Sequence, residues 1–549
     1  MTFTPEQQQI FDFVRTGNGH GIIDAVAGAG KTTTIMECAR FAEDPGKVLF
    51  CAFNNAIATE IRRKFGQRGM ERVTVKTIHA LGLNMLYDMG RRFETKESKY
   101  AGLYRSPAFQ KKLKPYFEDL ASANKLNPFS KMEKQQFALK NLNYNLQRRV
   151  LEINQKHRSV LPGSKFEAFR EMVEHYGIFS VQEQEGRAFP RELRIHYDLH
   201  RMLLEAGNNL ARTAGVIDFT DMIYLPFIWQ LESQVKYDYI FIDECQDLSK
   251  AQFSVATKYG RKGTRILAVG DPRQSIYGFT GADAESFDRV ARMTKATPLP
   301  LTVCFRCPRK VIDLAKEIRP DISGAKGEPG QVLTLTIDDV LQYALPGDLI
   351  VSRFRAPLLL LVFDFIDAGT KVRIAPDEVN EFIGELQNLF KVDERRASIK
   401  RRYREFSVLR HLVFDRNMWV VRKEAGKIRN PDERALFLQR EEDYLNKRLD
   451  FLTKKHQKWA KDCTTVDKLL KKLRTFVAAD EGAIRLSTIH RAKGLEEKRV
   501  FILDYDKLPF LRPNQLGWER TQEENLKYVA VTRAEESLFL VESPEESKE

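Results

Sequence analysis

The sequence predicts an α/β protein made of two parallel-sheet domains, each interrupted by a mainly helical insertion. Three observations carry that expectation. A short strand at Ile22-Ile23 runs into the small-residue turn Ala25-Val26-Ala27-Gly28-Ala29-Gly30 and then a helix-forming run opened by Lys31-Thr32. Buried-strand patterns alternate with helical ones in two separate series, as parallel sheets require. Residues 90–210 and 378–480 lose their Val/Ile strands and become charge-dense with helical periodicity.

Composition narrows the classes further. At 549 residues the chain is too long for one core, so about three or four domains or subdomains are expected. Hydrophobic content of 43% and aromatic content of 10% are those of a folded globular protein. A net charge of +14 points to a polyanionic partner, nucleic acid ahead of an acidic membrane. The six cysteines are sparse, which fits reduced thiols in a cytosol-like compartment. No apolar run approaches membrane-spanning length, and Met1-Thr2-Phe3-Thr4-Pro5 lacks the regions of a signal peptide. A soluble, cytoplasmic protein is expected.

Taken in order, Thr4-Pro5-Glu6 starts a helix, with Thr4 as N-cap and Pro5 at its first position. Gln7 is either a surface glutamine or a reader of an adenine edge. In the turn that follows, Ala27, Gly28, Ala29 and Gly30 let backbone N–H groups crowd an anion at the helix N-terminus. Lys31 would reach the β- and γ-phosphates and the Thr32 hydroxyl would bind Mg²⁺, with Thr33 next in the helix. Strands at Val48–Phe53 and Val73–His79 end in Phe53, Thr77 and His79, at the sheet edge where active residues gather. In the 90–210 insertion, Lys111-Lys112-Leu113-Lys114 is a solvated helix face or a phosphate contact.

The sheet resumes at Tyr239–Ile242 and delivers Asp243-Glu244. Asp243 would hold Mg²⁺ through water, and Glu244 would orient and deprotonate an attacking water. Strand Ile266–Val269 leads to a polar turn in which Gln274 would sense a γ-phosphate. Tyr277 and Phe279 read either as base-stacking rings or as core. A second strand–helix series begins near Leu299 and runs through Asp348–Arg353, Lys371–Ile374, Ala483–His490 and Val500–Asp504. Cys304 and Cys307 make half a zinc site, and no second pair completes it. The helix around Leu526, Val529 and Ala530 ends at Arg533, a surface arginine or one aimed at a nucleotide's transition-state charge. The chain ends soon after, and no nuclease or tail domain is expected.

Together and in order, these segments resemble the superfamily 1 DNA helicases of the UvrD/Rep/PcrA type. The specific stretches are Gly270-Asp271-Pro272-Arg273-Gln274-Ser275-Ile276-Tyr277-Gly278-Phe279, Thr488–Glu496, Tyr528–Ala534 and Val216–Ile223. The compact layout is similar to phage-encoded and F-box DNA helicase relatives. The resemblance implies two RecA-like domains: 1A at 1–89 and 211–295, 2A at 296–377 and 481–549. It makes 90–210 the 1B insertion and 378–480 a reduced 2B insertion. It also implies roles. Gln7 reads adenine and Phe305 stacks on it, Glu496 contacts the ribose, and Arg306 and Arg533 reach the γ-phosphate. Phe53, Thr77, His79, Tyr277, Phe279 and His490 line a single-strand track.

The sequence departs from the family pattern where Asn54-Asn55-Ala56 omits a lysine. Phe279 and Phe305 also replace tryptophan and tyrosine. The expected activity is ATP- and Mg²⁺-dependent 3′→5′ translocation on single-stranded DNA with duplex unwinding. The setting would be repair, recombination or replication, with the chain acting as a monomer at single-strand/duplex junctions alongside replication or recombination proteins. A translocase that strips protein from DNA, a 5′→3′ enzyme and an RNA helicase stay open as alternatives.

Overall fold

Helix α1 (Pro5–Thr16) starts where the sequence places it: Thr4 Oγ1 accepts the Gln7 N–H while the Gln7 side chain accepts the Thr4 N–H, a reciprocal cap. Strands β1 (Gly21–Ala25), β2 (Val48–Ala52) and β3 (Val73–Thr77) each lead into a helix, α2 (Lys31–Phe41), α3 (Asn55–Gln67) and α4 (Ile78–Tyr87). β4 (Glu94–Thr95) and β5 (Val216–Ile217) pair in parallel at the two ends of the helical insertion. β6 (Tyr237–Ile242), β7 (Gly260–Gly270) and β8 (Thr297–Leu301) complete a parallel six-stranded sheet ordered β3-β2-β6-β7-β1-β8. All five residues of β2 are buried, as befits a strand covered on both faces. The computed structural model describes residues 3–42, 46–127, 132–179, 181–186, 188–278, 281, 285–375, 379–380, 383–384, 386, 406–426, 431–458, 466–477, 482–512 and 515–543.

One strand departs from expectation. Thr297–Leu301, read as the opening of the second series, pairs with β1 and closes the first sheet. Its alternation gives the reason: Leu299 and Leu301 are buried, while Pro298 and Pro300 face out and lack the N–H that a further strand would need. β9 (Val303–Cys304) and β10 (Ser323–Gly324) form a small parallel pair beside it.

The chain divides into two compact units. The first holds residues 1–305, 318–325 and 509–525; the second holds 306–317, 326–508 and 526–549. Residues 509–525, grouped by the sequence with the second sheet domain, thus belong with the first. Trp518 Nε1 donates to His175 O at 2.5 Å, Gln522 Oε1 accepts the Gly278 N–H at 3.0 Å, and Asn525 Nδ2 donates to Ser275 O at 2.9 Å. These are tertiary contacts that no local pattern announces.

Within the first unit the insertion is helical, with helices Lys99–Arg105, Pro107–Ala123, Glu133–Val160, Phe166–His175 and Phe189–Ala214 among its described elements. A buried ion cluster binds it to the sheet domain. Lys99 Nζ lies 2.5 Å from Asp221, and Arg158 Nη1 donates to Asp218 at 2.6 Å and to Asp221 at 2.8 Å. The two aspartates also accept each other's backbone N–H, which explains the Asp218…Asp221 spacing physically. Breaking one partner of such a buried set strands the other charge, at about 3–5 kcal/mol.

The second unit carries its own parallel sheet: β11 (Gln331–Leu335), β12 (Leu349–Ser352), β13 (Val372–Arg373), β14 (Ile484–Thr488), β15 (Glu497–Leu503) and β16 (Ala534–Val541). They are ordered β11-β16-β15-β12-β14-β13. Ile350, Val362, Phe363, Leu486 and Phe501 form its core, joined by Leu449, Leu452 and Leu470 from helices Pro431–Lys458 and Val466–Val477. The charged run Lys391–Arg404 lies outside the described residues. No described helix is long and apolar enough to cross a membrane.

Candidate functional site

The phosphate-type loop joins β1 to α2 and leaves the C-terminal edge of the first sheet. Gly28 and Gly30 take φ of 69° and 74°, a left-handed region closed to most side chains, and Gly30 is the N-cap of α2. Ala27 and Ala29 are buried beside them. Lys31 follows, its side chain only 10% exposed, with Nζ 3.6 Å from Glu244 Oε1. That ammonium has no hydrogen-bond acceptor among the described residues. A buried cation over a backbone nest, lacking an acceptor, fits a phosphate chain.

The Asp243-Glu244 pair arrives at the end of β6. Thr32 Oγ1 donates to Asp243 Oδ2 at 3.0 Å, bringing together the two groups expected at Mg²⁺. Burial, reinforced by the neighbouring Glu244 carboxylate, pushes the Asp243 pKa up to about 7. A divalent cation beside it would restore the ionised form, so the donor set suits a hard ion. Glu244 itself sits at φ 54°, a costly conformation for a non-glycine residue and one met at functional sites. Its second oxygen accepts from Gln246 Nε2.

Gln246 links onward, because its Oε1 accepts the Asp271 N–H at 3.1 Å. Asp271 is fully buried and its Oδ2 accepts from Gln274 Nε2 at 2.8 Å. The Gln274 amide is therefore aimed by a carboxylate. Gln7 is buried as well, donating from Nε2 to Thr34 Oγ1 at 3.0 Å. One amide hydrogen and one lone pair remain for an adenine edge. Phe305, 43% exposed, donates its N–H to Gly28 O at 2.9 Å, which ties its backbone to the loop. Thr33 lies in the first turn of α2.

Two ring pairs stand at the same sheet's C-terminal strand ends. Phe53 and Tyr277 stack with centroids 6.0 Å apart and planes 16° apart. His79 stacks on Phe219 at 3.9 Å and 21°. Burial lowers the His79 pKa to about 4, so the ring is neutral at pH 7. Phe219 is 54% exposed, and no motif in the sequence marks it for a role. Its only sequence signal is an aromatic between Asp218 and Asp221, the two residues that anchor the insertion. Thr77 caps α4, accepting the Ala80 N–H. Phe279 lies outside the described residues.

In the second unit, Arg306 donates from Nη1 to Thr532 O at 3.1 Å and pairs through Nη2 with Glu496. Arg533 is 1% exposed and uses all three guanidinium nitrogens, on Val529 O, Leu495 O and Thr532 Oγ1. Burial first and Arg306 second lower its pKa to about 10. It is no surface arginine. Arg533→Met should destabilise this unit by about 1–3 kcal/mol in urea unfolding, because Leu495 O loses the Arg533 donor and Val529 O keeps only Thr532 Oγ1 from a side chain. His490 follows β14, and burial together with Arg353 lowers its pKa to about 4.

Comparison with known proteins matches most of the chain to two helicase domains. Residues 3–295 match the UvrD/REP helicase N-terminal domain, and residues 386–544 match the UvrD-like helicase C-terminal domain. The ATP-dependent DNA helicase srs2 of Schizosaccharomyces pombe is 34% identical over 149 residues, 26% of this chain and 16% of its own. DNA helicase II of Haemophilus influenzae is 28% identical over 134 residues, 21% of this chain and 18% of its own. The ATP-dependent DNA helicase PcrA of Staphylococcus aureus is 22% identical over 322 residues, 56% of this chain and 38% of its own. The chain thus matches well under half the length of each of these relatives.

Proposed function

The chain belongs to the UvrD/REP helicase family, and from that premise we propose an ATP-driven DNA helicase that moves 3′→5′ on single-stranded DNA and separates duplex ahead of it. The observation that carries the reading is the Lys31 ammonium, buried without an acceptor beside Glu244. Lys31 and the N–H groups of residues 27–32 bind the triphosphate. Thr32 and Asp243 hold Mg²⁺, which when bound neutralises phosphate charge. Glu244 takes a proton from water as the water oxygen bonds to the γ-phosphorus and the bond to ADP breaks. Gln274, aimed by Asp271, orients that water.

The remaining assignments follow the family resemblance. Gln7 and Phe305 hold adenine, Glu496 the ribose, and Arg306 and Arg533 the γ-phosphate. Phe53, Tyr277, His79, Thr77, Phe279 and His490 contact the strand, and the exposed Phe219 ring, stacked on His79, adds a contact of its own. Stacking of bases on such rings is worth about 1–3 kcal/mol each and tolerates any sequence, as a translocating motor needs. Action as a monomer at single-strand/duplex junctions, alongside replication or recombination proteins, completes the reading.

The experiment is strand separation on 3′- and 5′-tailed DNA, with and without ATP, using wild type and Lys31→Ala. The expected result is ATP-dependent separation of the 3′-tailed duplex alone, and loss of detectable ATPase and unwinding in Lys31→Ala with DNA binding retained. Wild-type turnover in that variant would remove the hydrolytic site from this pocket. Displacement of bound protein without strand separation would favour a remodelling translocase.

A further inference from the structure

Arg319 enters neither the sequence motifs nor the roles assigned above, yet it is 7% exposed and lies in the unit that carries the phosphate loop. It belongs to a short strap, residues 318–325, attached to that unit by backbone pairing. Ser323 N–H donates to Thr302 O at 2.9 Å and Ala325 N–H to Cys304 O at 2.8 Å, around the β9/β10 pair. From the strap, Arg319 Nη2 reaches Asp24 Oδ1 at 2.8 Å, and its Nε lies 2.8 Å from Asp321 Oδ1.

Asp24 is the penultimate residue of β1, one peptide before Ala25 opens the phosphate loop. In the sheet it stands in register with Gly270 of β7 and Pro300 of β8. Asp271, the residue after Gly270, is the buried carboxylate that holds Gln274 Nε2 and, through its N–H, Gln246 Oε1. Gln246 in turn contacts Glu244. Arg319 thus sits over the sheet edge where the phosphate loop and the Gln274 turn both begin. Burial raises the Asp271 pKa, and the positive charges of Lys31 and then Arg319 oppose that rise.

We propose that Arg319 is a positioning residue of the nucleotide site. It fastens the strap to the strand that feeds the phosphate loop, at the residue in register with Gly270, from which the Gln274 turn departs. The proposal rests on the ATP-hydrolysis reading above and adds a residue to it. An ion pair that merely stapled the fold would lower stability and leave the turnover of the folded fraction alone. A positioning role instead shows in turnover, because small misplacements of reacting groups cost up to about 10²-fold in rate.

The test is steady-state ATPase of the full chain with saturating oligodeoxynucleotide, alongside thermal melting. The variants are Arg319→Met, Arg319→Lys and Asp24→Asn. The proposal expects kcat of Arg319→Met to fall by about 10–100-fold with KM for ATP within about threefold. It expects Arg319→Lys to recover a large part of that loss, and Asp24→Asn to share it. A kcat for Arg319→Met within twofold of wild type would overturn it. So would a matched fall in Tm and kcat that lysine does not rescue. Wild type without any ATPase would instead sink the ATP reading itself, so the two failures are told apart.

Discussion

Glu244→Gln is expected to slow DNA-stimulated phosphate release by about 10²–10⁴-fold, the usual contribution of a positioned general base. The substitution is isosteric, so the left-handed backbone at φ 54° and the contact with Gln246 are kept. Binding should survive, and the electrostatics give the sign. The Glu244 carboxylate is one of the two influences raising the Asp243 pKa to about 7. Removing that charge moves the Asp243 pKa down from about 7, toward the ionised form that a bound divalent cation favours. The Lys31 ammonium, 3.6 Å from Glu244 Oε1, also loses its nearest competitor for phosphate. The variant should therefore bind Mg·ATP at least as tightly as wild type while failing to turn it over. Single-turnover hydrolysis and nucleotide titration check both halves. Unimpaired hydrolysis would transfer the base role to another residue.

How much of this was legible in the sequence depends on the distance between partners along the chain. The phosphate loop, the Asp243-Glu244 strand end and the cap of α1 are local patterns, each written within about a dozen consecutive residues. Spacing and residue type suffice for them. Arg319 and Asp24 are 295 positions apart, and each alone reads as an ordinary surface charge. Phe219 is similar: its stacking on His79 depends on a sheet edge gathering loops from remote strands. The strand at Thr297–Leu301 was visible, but its sheet was not. A strand between two series can join either, and only the outward prolines hinted at an edge. Arg533 shows the limit of a motif. The helical face of Leu526, Val529 and Ala530 was legible, whereas the burial of Arg533 against the Val529 and Leu495 carbonyls was not.

A second large effect is expected from pH, through three histidines inside the first insertion. His157 lies on helix Glu133–Val160, and His196 and His200 lie one turn apart on helix Phe189–Ala214. The His157 and His200 rings are 4.6 Å apart, and Phe169 stacks on His200 at 5.8 Å. Neither nitrogen of His200 has a hydrogen-bond partner among the described residues, nor has His157 Nδ1 or the amide of the fully buried Asn154. His196 Nδ1 donates to Glu192 O at 2.8 Å. Burial, with Arg158 and Arg201 adding to it, lowers the His157 pKa to about 4. Burial does most of the same to His196, and burial together with His157 and the nearby arginines lowers His200 well below the ordinary 6.5.

The folded pKa values thus lie under the unfolded one, so below about pH 6.5 the unfolded chain binds more protons. Stability is complete above that pH and is lost as pH falls from 6.5 toward 4. At pH 5 the His157 and His196 rings each contribute a loss of about 2 kcal/mol and His200 adds to it in the same direction, a sizeable part of a typical domain's stability of about 5–15 kcal/mol. The insertion should therefore open before either sheet does. Amide exchange in residues 99–123 and 189–214 should accelerate sharply between pH 7 and pH 5 beyond the intrinsic dependence of exchange on pH, while β2 and β6 stay protected. A His200→Phe variant removes one proton-binding group and should flatten that slope. Equal protection of the insertion and the sheet across this range would show that the rings reach water or a counter-charge, and that burial does not hold them neutral.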